Sequence, residues 1–462
     1  MKPINAAQLA EIIGGELIAG DGVSFFSSVS IDSRTIESGQ IFFAIAGKNF
    51  DGHNYAAAAI EKGAACIVVQ REVGSPTKTP LIRVDDCIAA LAQFAAWYRR
   101  QLSAKVIAIT GSVGKTTTRQ ILHQILSQFF KCRQARGSFN NHIGLPLTIL
   151  SAEPDDDILL LELGSNHPGE IAPLARIASP DIALITRVAP SHLEGFGTLE
   201  NIIKEKASIA QGLQTGGMLY INGDQHDLRS HIRANYDIPL TTFGLGPKCD
   251  IAGTDLQTEG AGGSFVIDGQ TVQVPLAGRA NLVNVLSAWA VCRGLAISLP
   301  DFAKAAQQLK SPDLRLQIEN IGPLTVLNDC YNANPASMAN ALACLALMAE
   351  NTEKRKVFIT GSMAELGLAS ESLHTQLGQK AAAEGVHVLL AAGPFAEQIL
   401  QGAKSELKVS DPFKFRGFKN TGQLCDNLHK WIKPDDTILV KGSRSANLEK
   451  AIQRLRELFG NH

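Results

Sequence analysis

Apolar residues come in short unbroken blocks along much of this chain, and helix-spaced stretches separate the blocks. Val106–Thr110 carries no charge and runs into Gly111-Ser112-Val113-Gly114-Lys115-Thr116-Thr117, after which Ile121, Leu122, Ile125, Leu126 and Phe129 recur at helical spacing. The first block predicts a fully buried strand and the last an amphipathic helix. Similar blocks stand at Asp157–Gly164, Asp181–Val188 and Gly217–Asn222. Continuous apolar strands between helices suit a parallel sheet covered on both faces. Val266–Leu276 differs, because it centres on Asp268-Gly269 and predicts a hairpin.

On the N-terminal side, Ile41–Gly47 and Ala65–Gln70 are strand-like. Cys87–Leu102 reads as a helix, with Arg99 and Arg100 placed where a helix C-terminus favours positive charge. Leu309–Gln317 holds Pro312 and Asp313 and marks a boundary. Beyond it, Leu324–Cys330, Lys356–Gly361, His387–Gly393 and Asp436–Gly442 predict a second set of parallel strands, with a helix over Ala336–Glu350. The expected architecture is α/β in three domains, 1–102, 103–312 and 313–462, the middle one a P-loop parallel-sheet domain and the last Rossmann-like. No repeat or low-complexity tract interrupts it.

Charge and cysteine usage narrow the function classes. Forty-three basic and 44 acidic residues leave a net charge of -1, which gives no footing for a nucleic-acid or membrane-surface protein. No apolar run approaches the ~18 residues of a membrane span. The eight cysteines are scattered, with no C-x-x-C pair, as expected in a reducing compartment. The N-terminus carries no leader pattern, so a soluble cytoplasmic protein is expected.

The loop at Gly111 points to phosphate. A glycine-rich turn between strand and helix aims backbone N–H groups at one place, and the helix N-terminus adds partial positive charge. Lys115 is placed to reach terminal phosphates and the Thr116 hydroxyl to meet Mg²⁺. Two residues separate Gly111 from Gly114, where the common phosphate loop has four. Glu162 ends an apolar strand, where carboxylates face the ligand crevice of an open sheet; as a Mg²⁺ ligand it would act there, although a plain surface carboxylate would look the same. His192, just past another strand, and Lys206, on a helical run, would each pass alone for ordinary structural residues.

Several stretches together resemble the Mur ligases over nearly the whole chain: DSRTIESGQIFFAIAGKNFDGH, TGSVGKTTT, GSFNNHIGLPLT, ELGSNHPGEI, VAPSHLEGFGTLENIIKEKASIA, NDCYNANPASM and LVKGSRS. The short phosphate loop is also similar to that of folylpolyglutamate synthetases, but the DSR…FDGH region argues against that alternative. FNNHIGLPLT, and NHPGEI followed by HLEGFG, resemble the branch that adds D-alanyl-D-alanine to a UDP-N-acetylmuramoyl-tripeptide. The D-N-P-R run of the diaminopimelate-adding branch is absent. The resemblance implies an ATP-dependent amide ligase working through an acyl phosphate in cytoplasmic peptidoglycan precursor synthesis, as a monomer. A non-catalytic nucleotide switch would need the loop but not Glu162, His192 and Lys206 together.

The resemblance also implies roles at matching positions. Gly111, Ser112, Val113, Gly114, Lys115, Thr116 and Thr117 would hold the ATP phosphates. Thr116, Glu162, His192 and a carbamylated Lys206 would ligate two Mg²⁺ ions, and the run favours Lys206 over Lys204 for that modification. Lys115, Lys206, His192 and Glu162 are thus the candidate catalytic set. Asn281 would contact adenine, with Arg315 and Asp329 near phosphate and ribose. Asp32, Ser33, Arg34, Lys48, Asn49 and His53 would lie at the UDP-sugar end, and Asn140, Asn141 and His142 along the peptide channel. Two positions depart from the family pattern: Ala280 stands where a histidine is usual, and Ser362 where an aspartate is common.

Overall fold

The N-terminal residues build a five-stranded sheet, in spatial order Glu16–Ala19, Leu81–Arg83, Cys66–Val69, Ile41–Phe43 and Val29–Ser30. The first strand is antiparallel to its neighbour and the others are parallel. The helix Cys87–Arg99 starts at Asp86, whose side chain accepts from the N–H groups of Ile88 and Ala89. It stops three residues short of the expected Leu102, with Arg100, Gln101 and Leu102 donating in tight terminal turns to Trp97, Tyr98 and Arg99. Its buried Leu91, Phe94 and Tyr98 join an apolar core that continues into Leu145, Ile149 and Leu174 of the middle region. The structure is a computed structural model that describes all residues except 48, 74–77, 136, 351–353, 408–412 and 461–462.

The middle region centres on a seven-stranded parallel sheet, ordered Ile251–Ala252, Leu240–Gly244, Met218–Asn222, Ile182–Ile185, Lys105–Thr110, Ile158–Glu162 and Cys132–Gln134. Lys105–Thr110 is the strand at which the chain order reverses, which places the phosphate loop at the ligand crevice of the sheet. The helix Lys115–Leu126 buries Ile121, Leu122, Ile125 and Leu126 on one face of this sheet. Phe129 lies outside that stripe. The helix ends before it, the chain tightens as the Phe129 N–H donates to Leu126, and the ring is 42% exposed. The hairpin pairs Gly262–Ile267 with Gln270–Val274, and Asp268 and Gly269 take φ of 48° and 80°, the left-handed pair of a type I′ turn. A further strand, Thr254–Glu259, extends it to three.

The C-terminal region holds a six-stranded sheet, ordered Gln317–Ile321, Leu324–Asp329, Thr437–Lys441, Lys356–Gly361, Val388–Ala392 and Lys414–Phe418. Five strands are parallel, and Gln317–Ile321 is an antiparallel edge that turns back through Gly322. Its two apolar cores draw every residue from Leu316 onward. Among the described residues no helix is long and apolar enough to cross a membrane.

Candidate active site

Gly111 and Gly114 bend the phosphate loop at φ of 144° and 92°. A Cβ on Gly111 would lie 2.1 Å from Thr186 Oγ1, and one on Gly114 would lie 2.6 Å from Asn284 Oδ1. Both positions therefore need glycine, for conformation and for space. The helix that follows has no side-chain cap at Gly114, so its first-turn N–H groups lack the partners a helix interior supplies. Lys115 folds back and donates from Nζ to the Gly111 carbonyl at 2.7 Å. Burial pushes its ammonium below the ordinary lysine value, and the Glu162 carboxylate opposes that.

Glu162 is 1% exposed at the end of its strand. Its carboxylate accepts from Thr116 Oγ1 at 3.1 Å, Asn140 Nδ2 at 3.0 Å and Arg119 Nε at 3.3 Å. Arg119 also donates to the carbonyls of Ala135 and Gly137, tying the carboxylate to the end of the neighbouring strand. Arg315 arrives from the domain boundary, donates to Thr116 Oγ1 at 3.2 Å and lies 4.2 Å over the Tyr331 ring. Tyr331 in turn meets Ser138 through their hydroxyls.

Lys206 is 1% exposed and donates from Nζ to Ser165 Oγ at 2.6 Å, with the Phe196 ring 5.5 Å away. Burial pushes its ammonium down to about 7, and the Lys115 charge pushes the same way. The neighbouring Glu205 is spent on structure, since it accepts from the N–H groups of Gly169, Glu170 and Ile171 at the start of helix Ile171–Ala178. Lys204 pairs at the surface with Glu200. His192, at φ of 50°, contacts Glu365 of the C-terminal region through Nδ1. Burial lowers the basicity of its ring and Glu365 works against that.

One cavity of about 970 Å³ is lined by the loop 112–117 and by Asn140, Asn141, His142, Glu162, His192, Asn281, Arg315 and Asp329. Ile88, Ala89 and Ala92 supply an apolar wall from the N-terminal region, and Tyr331, Lys441 and Arg444 line it from the C-terminal one. Within it, Asn140 is committed to Glu162, and Asn141 accepts from the N–H groups of Ile143 and Gly144. Asn281 donates to the Ala277 carbonyl and accepts from Asn284. Asp329 is gripped by the buried Lys441 at 2.5 Å and by the Leu316 N–H.

The described residues expected at the UDP-sugar end, Asp32, Ser33, Arg34, Asn49 and His53, do not line this cavity. Arg34 is 86% exposed and chelates Asp32, and that hydrogen bonding holds the Asp32 carboxyl down at about 2. Lys62 donates to the carbonyls of Ser33 and Arg34. Asn49 is exposed, and Lys48 lies outside the described residues. His53 is buried, with both ring nitrogens occupied: Nε2 accepts from the Gln70 N–H at 2.9 Å and Nδ1 meets Asp51 at 2.6 Å.

The described residues hold no ready cluster of three or more His, Cys, Asp or Glu side chains for a metal. The donors at the loop nonetheless suit Mg²⁺, because the Thr116 hydroxyl and the Glu162 carboxylate are hard oxygens side by side. Ser112 Oγ and Ser191 Oγ are buried beside the loop and beside His192 without a hydrogen-bond partner, as groups awaiting an oxygen-rich ligand would be. Sequence reasoning missed Arg119, Glu365, Tyr331 and Lys441. Arg119 carried a signal, since it falls on the buried side of the helix next to Leu122 and Leu126, where a charge needs a partner.

These features define a class. Three family models match in order along the chain: the Mur ligase family catalytic domain over 26–99, the Mur ligase middle domain over 109–292 and the Mur ligase glutamate ligase domain over 314–444. The chain belongs to the Mur ligase family. Within it, a UDP-N-acetylmuramoyl-tripeptide–D-alanyl-D-alanine ligase of Bacillus subtilis (strain 168) is 33% identical over 435 residues, covering 93% of each chain. A crystal structure of MurF from Acinetobacter baumannii superposes with a TM-score of 0.90 at 29% identity, covering 99% of each chain. A MurF ligase from Thermotoga maritima in complex with ADP gives a TM-score of 0.81 at 26% identity, covering 93% of this chain and 97% of that one.

Proposed function

We propose that this chain joins D-alanyl-D-alanine to UDP-N-acetylmuramoyl-tripeptide with ATP, in cytoplasmic peptidoglycan precursor synthesis, and that it works as a monomer. The observation that carries the reading is the single cavity in which the phosphate loop, Glu162 and His192 meet walls from both flanking regions. In this reading residues 1–102 hold the UDP-sugar, 103–312 hold ATP, and 313–462 help hold the incoming dipeptide.

A carboxylate does not react with an amine at neutral pH, so it must first be activated. Its oxygen attacks the terminal phosphorus of ATP, the bond to the bridging oxygen breaks, and ADP leaves an acyl phosphate. The dipeptide amine then attacks the acyl carbon and phosphate departs. Two anions must approach each other in the first step, so the chain has to gather positive charge. Lys115 would release Gly111 and swing to the transferring phosphoryl group, and Arg315 would reach past Thr116 toward the same oxygens. Thr116, Glu162, His192 and Lys206 would hold Mg²⁺, which neutralises phosphate charge when bound. Lys206 would serve as a carbamate. Carbon dioxide adds only to a neutral amine, and a lysine pushed down to about 7 supplies one at physiological pH. Asn140 and Arg119 would keep Glu162 aimed, and Asn141 and His142 would border the tripeptide. Asn281 and Asp329 would serve the nucleoside. Asp32, Ser33, Arg34, Lys48 and Asn49 would take the UDP end, and His53 would brace the Asp51 turn beside them.

The test is direct. The protein is incubated with ATP, Mg²⁺, the UDP-linked tripeptide and D-alanyl-D-alanine, and the product is read by mass with phosphate release in parallel. The UDP-linked pentapeptide and one phosphate per bond are expected. Turnover with a folate and L-glutamate, and none with D-alanyl-D-alanine, would overturn the assignment.

A further inference from the structure

His192 and Glu365 stand 173 residues apart and meet across the seam between the middle and C-terminal regions. Both sides of this contact are built with strain. His192 has φ of 50° and Glu365 φ of 60°, left-handed conformations that side chains other than glycine rarely adopt. Residues held this way persist only where the surroundings impose the geometry. Here the surroundings do so. The Glu194 N–H, two residues beyond His192, donates to the Glu365 carbonyl at 3.2 Å. On the other side the Met363 N–H donates to His374 Nε2 at 2.8 Å. His374 is fully buried, bonds the Ser370 carbonyl through Nδ1 and stacks on Phe395 at 4.3 Å. The loop carrying Glu365 is thus pinned at both ends, and the carboxylate points at one particular ring nitrogen.

We infer that Glu365 is a positioning residue for His192, fixing the imidazole so that Nε2 is the nitrogen offered to the metal. An ionised carboxylate only accepts, so it selects the neutral tautomer with hydrogen on Nδ1 and leaves the Nε2 lone pair free. Metal-binding histidines commonly have their other nitrogen held in this way. The inference rests on reading His192 as a Mg²⁺ ligand. It adds that the C-terminal region supplies the residue that orients it, so the metal site is complete only when that region is docked.

The test uses Mn²⁺ in place of Mg²⁺ and the full chain with ADP, with free Mn²⁺ read by electron paramagnetic resonance. Glu365→Ala should weaken Mn²⁺ binding by roughly 10- to 100-fold, and Glu365→Gln, which keeps an acceptor for Nδ1–H, by clearly less. His192→Ala should weaken binding at least as much as Glu365→Ala. The double variant should be no weaker than His192→Ala to within about twofold, because the two residues act through one ligand. If Glu365→Ala and Glu365→Gln both bind Mn²⁺ like the unaltered protein while His192→Ala does not, the inference falls and the ligand role stands. Losses that multiply in the double variant would also overturn it. Unchanged binding in His192→Ala would overturn the ligand role itself.

Discussion

Replacing Lys206 with methionine keeps an unbranched chain one atom shorter and removes its charge. The lysine is 1% exposed, and burial pushes its ammonium from the ordinary 10.5 down to about 7. The folded chain therefore gives up this proton more readily than the unfolded chain. Between pH 7 and 10.5 the unfolded state binds more protons, so stability rises with pH across that window. The burden of an unmodified Lys206 is complete below about pH 7 and disappears as pH passes 10.5. At about 1.4 kcal/mol per decade of proton affinity it amounts to about 5 kcal/mol at pH 6 and about 2 kcal/mol at pH 9. Losing the hydrogen bond to Ser165 removes about 1 kcal/mol of the gain at either pH. Lys206→Met should accordingly be inactive yet more stable than the natural chain, with an advantage about 3 kcal/mol larger at pH 6 than at pH 9. Urea denaturation of both proteins in CO₂-free buffer at the two pH values measures it. Adding bicarbonate should raise the stability of the natural chain, by drawing off the neutral amine, and leave Lys206→Met unmoved. An advantage of equal size at both pH values, or none at pH 6, would refute the reasoning.

Lys115→Ala should lower turnover by at least about 100-fold, since one charged donor aimed at a transferring group is worth about 3 kcal/mol, while circular dichroism shows an intact fold; turnover within about tenfold of the natural chain would remove its role. Arg34→Ala should raise KM for the UDP-linked substrate and leave KM for ATP alone, because Arg34 is exposed and does not line the phosphate-loop cavity; equal shifts in both constants would contradict that. Arg99→Ala should destabilise by about 2–3 kcal/mol in urea, because it strips buried partners from the carbonyls of Ala178 and Ser179 and from Asp181. A loss below about 0.5 kcal/mol would mean that water replaces the guanidinium at no cost.

Strands buried on both faces leave a strong mark in sequence, and Lys105–Thr110, Ile158–Glu162 and Thr437–Lys441 were legible for that reason. The edge strands were not. Lys414–Phe418 alternates exposed and half-buried residues around charged side chains, and Cys132–Gln134 is three residues long and half-buried, so neither forms an apolar block. At the site, residues embedded in a local pattern were readable: the glycines that bend the loop, Lys115 behind them, and Glu162 at a strand end. Partners supplied by distant chain were not. Nothing local announces that Glu365 faces His192, and the departure at Ser362 drew attention to the neighbouring position instead. His53 shows the converse failure. A motif histidine looks available in sequence, and only the Gln70 N–H and Asp51, brought in by folding, show that its ring is fully engaged.

The two seams flanking the phosphate loop are built from different chemistry, and the reaction explains why. The N-terminal region shares one apolar core with the middle, sealed by Tyr98 donating to Ala152 and by the buried Arg99. Separating them would expose that core to water, which ties the N-terminal region to the phosphate-loop region. The C-terminal region keeps its own cores and meets the middle through polar contacts: Arg315 with Thr116, Tyr331 with Ser138, His192 with Glu365, and the Glu194 N–H with the Glu365 carbonyl. Polar contacts of this kind exchange for water at little net cost. The acyl phosphate must be shielded from water once formed, yet the dipeptide must enter and the product leave. In the proposed reaction, a C-terminal seam that opens cheaply for the dipeptide, beside an N-terminal seam that stays sealed around the UDP-linked substrate, would meet both demands. Three of these contacts, Arg315–Thr116, Tyr331–Ser138 and His192–Glu365, end on residues that line the cavity, so opening that seam would also undo the arrangement of the candidate site.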